Sequence, residues 1–138
     1  MLFYSIRIPM NKSITIIIPN YNGAEILPQN LPGVIKVAEK YNAPIIIVDD
    51  KSKDNSVEMV KRDFPQLKLI EKEKNEGFSS TVNIGVKSAT TELVCLLNSD
   101  VILTENCLDP LFPYFDDTQT AAVAMQDFSD DQKTHGRG

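Results

Sequence analysis

The chain has 138 residues, of which 42% are hydrophobic and 24% are charged, and its formal net charge is −5. This length supports one domain with a buried core rather than two. The acidic balance, with no run of lysine or arginine, argues against nucleic acid as a partner.

Strands and helices are predicted to alternate after an N-terminal extension at residues 1–13. Four short apolar runs predict strands: Ile14–Ile18, Ile45–Val48, Leu67–Ile70 and Leu93–Leu97. Because polar residues hardly interrupt these runs, we expect strands buried on both faces, as in a parallel sheet. Three stretches between them are typical of helices: Leu31–Tyr41, Ser56–Asp63 and Ser79–Ala89. The alternation predicts an α/β fold with a mostly parallel central sheet flanked by helices.

The last third of the sequence has a less regular pattern. A further helix is predicted to begin near Thr104 or Glu105 and to be interrupted by the prolines that follow. Ala121–Met125 is predicted to form one more strand. The domain is therefore expected to span residues 14–126, and the acidic, polar residues 127–138 are expected to form a loop or tail.

Cysteine usage and hydropathy narrow the class of protein. Cys95 and Cys107 have no histidine near them, so neither a zinc site nor a disulfide framework is indicated, and we expect both to be reduced core residues. No apolar run approaches the ~20 residues that a membrane span needs. The N-terminus lacks a signal-peptide pattern, so a cytoplasmic location is expected.

Three of the four predicted strands end in polar groups suited to a ligand. The first strand is followed by Pro19-Asn20-Tyr21-Asn22-Gly23, the second by Asp49 and Asp50, and the fourth by Asn98-Ser99-Asp100. Parallel sheets bind ligands at the carboxyl ends of their strands. Because carboxylates that share a crevice repel unless a cation or a donor intervenes, acidic residues at two strand ends indicate a ligand site.

Several of these residues allow two interpretations. Asp49 and Asp50 either mark the polar end of a strand and cap the next helix, or accept hydrogen bonds from a base or ribose. Tyr21 is either a turn aromatic packed on the sheet edge or a platform for a flat heterocycle. Gly77 allows a tight turn or close approach of the backbone, and Asn83 follows on the same helix; either residue could also serve only packing or capping.

Asp100 is the strongest single candidate for a metal ligand. Mg2+ and Mn2+ take one or two protein carboxylates and complete their coordination with water and phosphate oxygens. A divalent ion stabilises the charge that develops on a departing nucleoside diphosphate. The alternative is that Asp100 is an ordinary turn aspartate after a strand.

In these segments the sequence resembles the family 2 glycosyltransferases, whose nucleotide-binding domain has the Rossmann-like GT-A fold. The similar segments are Ile14–Gly23, Ile45–Ser56 and Asn75–Val101, in the family's order. The resemblance implies transfer of a sugar from a nucleotide-diphosphate sugar to an acceptor hydroxyl, with inversion and with Mg2+ or Mn2+. It further implies a role in polysaccharide biosynthesis, with a glycan or lipid-linked acceptor that could bring the protein to a membrane surface.

The resemblance also assigns residues. Pro19 and Tyr21 resemble the residues that border the base, and Asp50, helped by Asp49, is similar to the carboxylate that meets the base or ribose. Asp100 matches the last position of the family's Asp-any-Asp metal motif, whose first aspartate is replaced here by Asn98. The full set of implied nucleotide-binding residues is Pro19, Tyr21, Asn22, Asp49, Asp50, Gly77, Asn83 and Ser99, with Asp100 on the metal.

The catalytic base of an inverting transferase is not evident in the chain. The family places this carboxylate, which deprotonates the acceptor hydroxyl, after the nucleotide-binding half. Asp127, Asp130 and Asp131 are available but lie in the predicted tail. We therefore expect the donor-binding portion of a longer enzyme, truncated at the C-terminus, or a non-catalytic nucleotide-sugar-binding fragment.

Two rival classes share part of the pattern. A phosphorylation-dependent receiver domain has an acidic pair after its first strand and a phosphoacceptor about where Asp100 lies, but here a strand and a helix precede the acidic pair. A nucleotidyltransferase that makes activated sugars needs a glycine-rich loop with a basic residue after the first strand. The segment Pro19–Gly23 has one glycine and no positive charge.

Overall fold

The computed structural model describes residues 12–125, and the chain divides into two compact units after Glu105. The first unit contains four strands: β1 (Ile14–Asn20), β2 (Ile45–Asp49), β3 (Lys68–Glu71) and β4 (Leu93–Leu96). It also contains three helices: α1 (Leu27–Lys40), α2 (Ser56–Asp63) and α3 (Phe78–Ser88). The described part of the second unit has one short 3-10 helix, Phe112–Asp116.

The strands form one parallel sheet in the order β3-β2-β1-β4. The chain moves from β1 to β2 to β3 in one direction, and α3 then carries it back to β4 on the other side of β1. Right-handed crossovers therefore place α3 on the opposite face from α1 and α2. The strand order reverses between β1 and β4, which is where open α/β sheets bind ligands.

Apolar side chains from both faces of the sheet form the core. Every residue of β2 is buried, as are all residues of β1 except the half-buried Pro19. On the α3 face, Ile17, Ile46 and Val48 pack together. A Cβ built on Gly85 of α3 would lie 2.4 Å from Cγ2 of Ile17, so this glycine lets the helix approach the sheet closely.

The predicted fold class is confirmed, because the described sheet is parallel and flanked by helices. The predicted strands and the first three helices are present with small shifts in their ends. α1 begins at Leu27 rather than Leu31, and Pro28 is accommodated because the first turn needs no backbone donor. Cys95 is buried, as expected of a core residue, whereas Cys107 is only partly buried and does not occupy the core position expected for it.

Two predictions for the region after β4 are wrong. No α-helix begins near Thr104: the described residues form turns and then the short 3-10 helix Phe112–Asp116, because Pro110 and Pro113 cannot donate within a longer helix. Ala121–Met125 does not form a strand, and alanine, which contributes three of its five residues, has a low β-propensity. The predicted boundaries at residues 13 and 126 stay predictions, and the tail lies outside the described residues.

Among residues 12–125, no helix is both long enough and apolar enough to cross a membrane.

Candidate functional site

A cavity of about 550 Å3 opens at the carboxyl ends of the strands, at the reversal of strand order. Its wall comes from the end of β1 with the residue that follows it, the residue before α1, the residue after β2, the loop before α3 with the first turn of that helix, and the segment after β4. The lining residues are Pro19, Asn20, Tyr21, Ile26, Asp50, Asn75, Gly77, Phe78, Thr81, Asn98, Ser99 and Asp100. Six of the nine residues predicted for nucleotide and metal therefore line one cavity: Pro19, Tyr21, Asp50, Gly77, Ser99 and Asp100.

Asp50 is the most constrained carboxylate of the cavity wall. Its Oδ1 accepts hydrogen bonds from Lys72 Nζ at 2.7 Å and from the Glu76 amide at 2.9 Å, and its Oδ2 accepts one from the Gly77 amide at 2.8 Å. Burial alone would raise the pKa of Asp50, but these donors and the lysine charge outweigh burial and lower it. Asp50 is therefore ionised at neutral pH.

Lys72, which the sequence analysis did not single out, supplies the countercharge. Its side chain is 3% exposed, and Nζ also contacts Ser80 Oγ at 3.1 Å and Thr81 Oγ1 at 3.2 Å. Burial would lower the pKa of the ammonium, but Asp50 and Glu76 raise it. Both members of the Asp50–Lys72 pair are therefore charged. The pair connects the ends of β2 and β3 to the first turn of α3.

Gly77 gives the loop before α3 its shape. Its φ of +84° lies in the left-handed region that favours glycine, and it directs the amide at Asp50. The Gly77 carbonyl accepts hydrogen bonds from both the amide and the hydroxyl of Thr81. The turn therefore aims a backbone donor at the carboxylate and starts the helix in one step.

Asp49 does not line this cavity. It is 2% exposed and accepts hydrogen bonds from Asn20 Nδ2 at 2.7 Å and from both the amide and the hydroxyl of Ser52. It borders a second, smaller cavity of about 320 Å3. Successive side chains of an extended strand point to opposite faces, which separates Asp49 from Asp50.

Asn22 and Asn83 also lie outside the lining of the main cavity. Asn22 has a φ of 56°, and it joins two loops because its amide donates to Ser52 Oγ and its Oδ1 accepts from the Lys53 amide. Asn83 is exposed on α3. Their predicted contact with nucleotide stays a prediction.

The segment after β4 brings oxygen atoms to the cavity. Leu97 continues the pairing with β1 through a bond to the Ile17 carbonyl, and the chain then turns. Asn30 of α1 donates to the Ser99 carbonyl at 2.8 Å, which holds this turn. Asp100 itself is exposed, so its carboxylate is open to a ligand.

The charge of the cavity wall fits a divalent ion with few protein ligands. Asp50 and Asp100 are acidic, and none of the described lining residues is Lys, Arg or His. Within the described residues no group of three His, Cys, Asp or Glu side chains could hold a metal ion. Asp100 fits an ion that takes one protein carboxylate and obtains its remaining ligands from phosphate and water.

Two aromatic side chains line the cavity while largely exposed: Tyr21 is 47% and Phe78 is 56% accessible. Tyr21 was predicted from the sequence as a ligand residue, whereas Phe78, Asn20 and Thr81 were not. The signal for Phe78 was its place directly after Gly77, where a large apolar residue begins a helix at a predicted ligand edge.

A parallel α/β sheet with a cavity at its reversal point is the arrangement in which open α/β domains bind ligands. The sequence model for "Glycosyl transferase family 2" matches residues 15–137. The chain belongs to this family.

Two curated relatives are bacterial glycosyltransferases. Glycosyltransferase GlyG of Streptococcus pneumoniae is 29% identical over 106 residues, which are 75% of this chain and 35% of GlyG. The poly(ribitol-phosphate) beta-N-acetylglucosaminyltransferase TarP of Staphylococcus aureus is 31% identical over 107 residues, which are 75% of this chain and 33% of TarP. The chain thus spans about a third of the length of these relatives.

Solved structures show the same fold. Residues 1–349 of S. aureus TarS in complex with UDP match with a TM-score of 0.65 and 25% identity, over 75% of this chain and 32% of that chain. The mannosyltransferase PcManGT from Pyrobaculum calidifontis, in complex with GDP-Man and Mn2+, matches with a TM-score of 0.63 and 24% identity. The match covers 70% of this chain and 30% of PcManGT.

Proposed function

We propose that this chain is the donor-binding part of an inverting, metal-assisted glycosyltransferase that uses a nucleotide-diphosphate sugar. The main support for this proposal is that one cavity, at the point where the strand order reverses, is lined by Asp50, Asp100 and exposed aromatic rings. Family membership and the UDP-bound structure of TarS support a nucleotide-sugar donor for this cavity.

The charges of the cavity favour a donor that arrives with a cation. A diphosphate placed among Asp50 and Asp100 would meet only like charge, since the described lining residues include no cationic side chain. Asp100 would hold Mg2+ or Mn2+ together with the diphosphate oxygens. When bound, such an ion acts as a Lewis acid that stabilises the charge of the departing diphosphate.

The nucleoside end of the donor fits the part of the wall that carries Asp50 and the exposed aromatic rings. A carboxylate offers about four acceptor positions. Described residues occupy three of them on Asp50, and one position on Oδ2 is left for an N–H or O–H of the base or ribose. The exposed rings of Tyr21 and Phe78 offer flat faces on which a heterocycle can stack.

Transfer itself requires a second site. An inverting reaction needs a carboxylate to deprotonate the acceptor hydroxyl, and we assign none within residues 12–125. Three further points stay predictions: that the acceptor is a glycan or lipid-linked glycan, that the protein acts in polysaccharide biosynthesis, and that it is cytoplasmic. Membership in the transferase family sets aside the receiver and nucleotidyltransferase alternatives.

Thermal shift with a panel of nucleotides tests the proposal. The protein is heated with UDP, GDP, UDP-GlcNAc or GDP-Man, each with Mn2+, with Mg2+ and with EDTA. A ligand at 100 times its Kd stabilises a folded protein by about 2.7 kcal/mol, so a clear rise in Tm is expected for at least one nucleotide with a divalent ion. No shift for any nucleotide under any condition would reject the donor site.

Asp100→Ala separates the metal from the rest of the site. We expect this variant to keep the Tm of the unliganded protein, because Asp100 is exposed, and to lose the part of the nucleotide shift that depends on the divalent ion. The matched control is Glu105→Ala, which removes another exposed carboxylate that does not line the cavity. An equal metal dependence in Asp100→Ala and Glu105→Ala would refute the role of Asp100.

A further inference from the structure

Lys72 contacts two residues of the cavity wall without lining the cavity itself. An ammonium has three donors. Those of Lys72 match three acceptors: Asp50 Oδ1 at 2.7 Å, Ser80 Oγ at 3.1 Å and Thr81 Oγ1 at 3.2 Å. With its donors committed and only 3% of its side chain exposed, Lys72 is not placed to bind a phosphate directly.

The lysine is itself held from two directions. Its backbone amide donates to the Asp49 carbonyl at 2.9 Å, which anchors the residue beside β2. Glu76 lies on its outer side, with Oε2 3.4 Å from Nζ. A rigidly held ammonium can fix the orientation of the carboxylate that it contacts, because rotation of that carboxylate would break a charged hydrogen bond.

Orientation decides what Asp50 offers to a ligand. Oδ1 accepts two hydrogen bonds, from Lys72 and from the Glu76 amide, whereas Oδ2 accepts one, from the Gly77 amide. The two oxygens are therefore not equivalent. Without Lys72, the Asp50 carboxylate could rotate about its Cβ–Cγ bond. The unoccupied acceptor position on Oδ2 would then no longer point in a fixed direction.

We propose that Lys72 is a positioning residue of the donor site, which orients the Asp50 carboxylate so that its Oδ2 accepts a hydrogen bond from the nucleoside. This inference rests on the proposed function and adds to it a residue outside the cavity. Lys72 acts through Asp50, so its effect on nucleotide affinity must depend on the presence of that carboxylate.

A double-mutant cycle tests this dependence. Affinity is measured by calorimetry, with saturating Mn2+, for the nucleoside diphosphate that most stabilises the wild-type protein. We expect Lys72→Met to weaken binding about tenfold, as for the loss of one oriented charged hydrogen bond. In the Asp50→Asn background, the same substitution should change affinity by no more than about twofold. The exposed Lys74 provides the control Lys74→Met, with the same change of chemistry two residues away.

Two results would overturn the inference. The first is an affinity for Lys72→Met equal to that of Lys74→Met. The second is an equal loss in the presence and absence of the Asp50 carboxylate, since a general loosening of the fold does not require Asp50. If Lys72→Met does not fold, as judged by circular dichroism, Lys72→Gln replaces it in the same cycle, because glutamine keeps an N–H donor.

A nucleotide-free measurement separates this inference from the proposed function. If the wild type binds no nucleotide, the proposed function fails and the donor-site role of Lys72 fails with it. Carbon NMR titration of the Asp50 carboxyl then still shows whether Lys72 holds that group: its pKa must rise in Lys72→Gln, and an unchanged pKa overturns the link. Glu76→Gln is titrated in parallel, because Glu76 is the other carboxylate beside the ammonium.

Discussion

Two adjacent aspartates at the end of β2 have different surroundings, and the difference separates scaffold from site. Each accepts three hydrogen bonds from described residues. The donors of Asp49 are neutral groups of Asn20 and Ser52, which tie the ends of β1 and β2 together. Asp50 instead has a cation and two amides of a glycine turn, and it borders the larger cavity. A repeated residue type at a strand end thus yields one carboxylate that is hydrogen-bonded within the scaffold and one that borders the cavity.

The largest expected effect comes from Asp50→Asn. This substitution leaves the Lys72 ammonium buried without its closest countercharge, and breaking a buried pair in this way costs about 3–5 kcal/mol. Urea denaturation should show a loss of that size. Under conditions in which Asp50→Asn stays folded, nucleotide affinity should fall at least about tenfold, because the oriented carboxylate acceptor is gone.

Asp49→Asn is the matched substitution on the scaffold side. It removes the charge from a network of neutral donors, so we expect a loss of about 1–3 kcal/mol in the free energy of unfolding. Nucleotide affinity of the folded protein should fall less than in Asp50→Asn, because Asp49 reaches the cavity only through neighbouring residues such as Asn20. A larger loss of affinity for Asp49→Asn than for Asp50→Asn would reverse the assignment of the two residues.

Most of the sheet could be predicted from the sequence because its signals are local. Apolar runs with few polar interruptions predicted all four strands, and polar groups suited to a ligand at the ends of three of them indicated the edge that carries the cavity. The region after β4 could not be predicted in the same way. Its prolines and alanines carry weak local preferences, so a helix and a strand were predicted where the described residues form turns and a 3-10 helix.

Lys72 could not be recognised because its role depends on long-range geometry. In the sequence it lies in the alternating run Glu71-Lys72-Glu73-Lys74, which is typical of a solvated surface. Its burial follows from the pairing of β3 with β2, which brings Lys72 next to the residues that follow Asp49. The separation of Asp49 from Asp50 likewise required the strand register, since the sequence Asp-Asp alone does not show which carboxylate borders the larger cavity.

Two glycines lie beside the two aspartates and allow the surroundings of each to be perturbed separately. Gly23 is next to the network of Asp49, and Gly77 donates to Asp50. A Cβ on Gly23 would lie 2.1 Å from Oδ1 of Asn20, whose Nδ2 is committed to Asp49, Ser52 and Ser56. Because Asn20 cannot move freely, Gly23→Ala should cost about 1–3 kcal/mol, as for overpacking in a well-packed region. Thermal and urea unfolding measure this loss, and an unchanged stability would show that the Asn20 network is adaptable.

Gly77→Ala perturbs the site side instead. No atom lies within 4 Å of a Cβ built there, so the cost comes from the φ of +84° alone and should be about 1–2 kcal/mol. Because Gly77 donates to Oδ2 of Asp50, we expect a loss of nucleotide affinity as well. Gly23→Ala reaches the cavity only through Asn20, so its loss of affinity should be smaller. Equal affinity losses in the two variants would remove the distinction between the two sides.

Acid dependence gives the smallest and most specific contrast. The pKa of Asp50 is below its ordinary value of 3.8 in the folded protein, so its contribution to stability is complete above that value and is lost as the pH falls through the lower folded pKa. Asp54 adds to the same dependence, because hydrogen bonds from Ser56 and Ala24 outweigh its burial and lower its pKa. Stability measured between neutral pH and pH 2 should therefore fall at the acid end less steeply in Asp50→Asn than in the wild type. The slope in Asp50→Asn should remain above zero because Asp54 still titrates, and a slope equal to that of the wild type would mean that Asp50 is not held by Lys72 and the Gly77 turn.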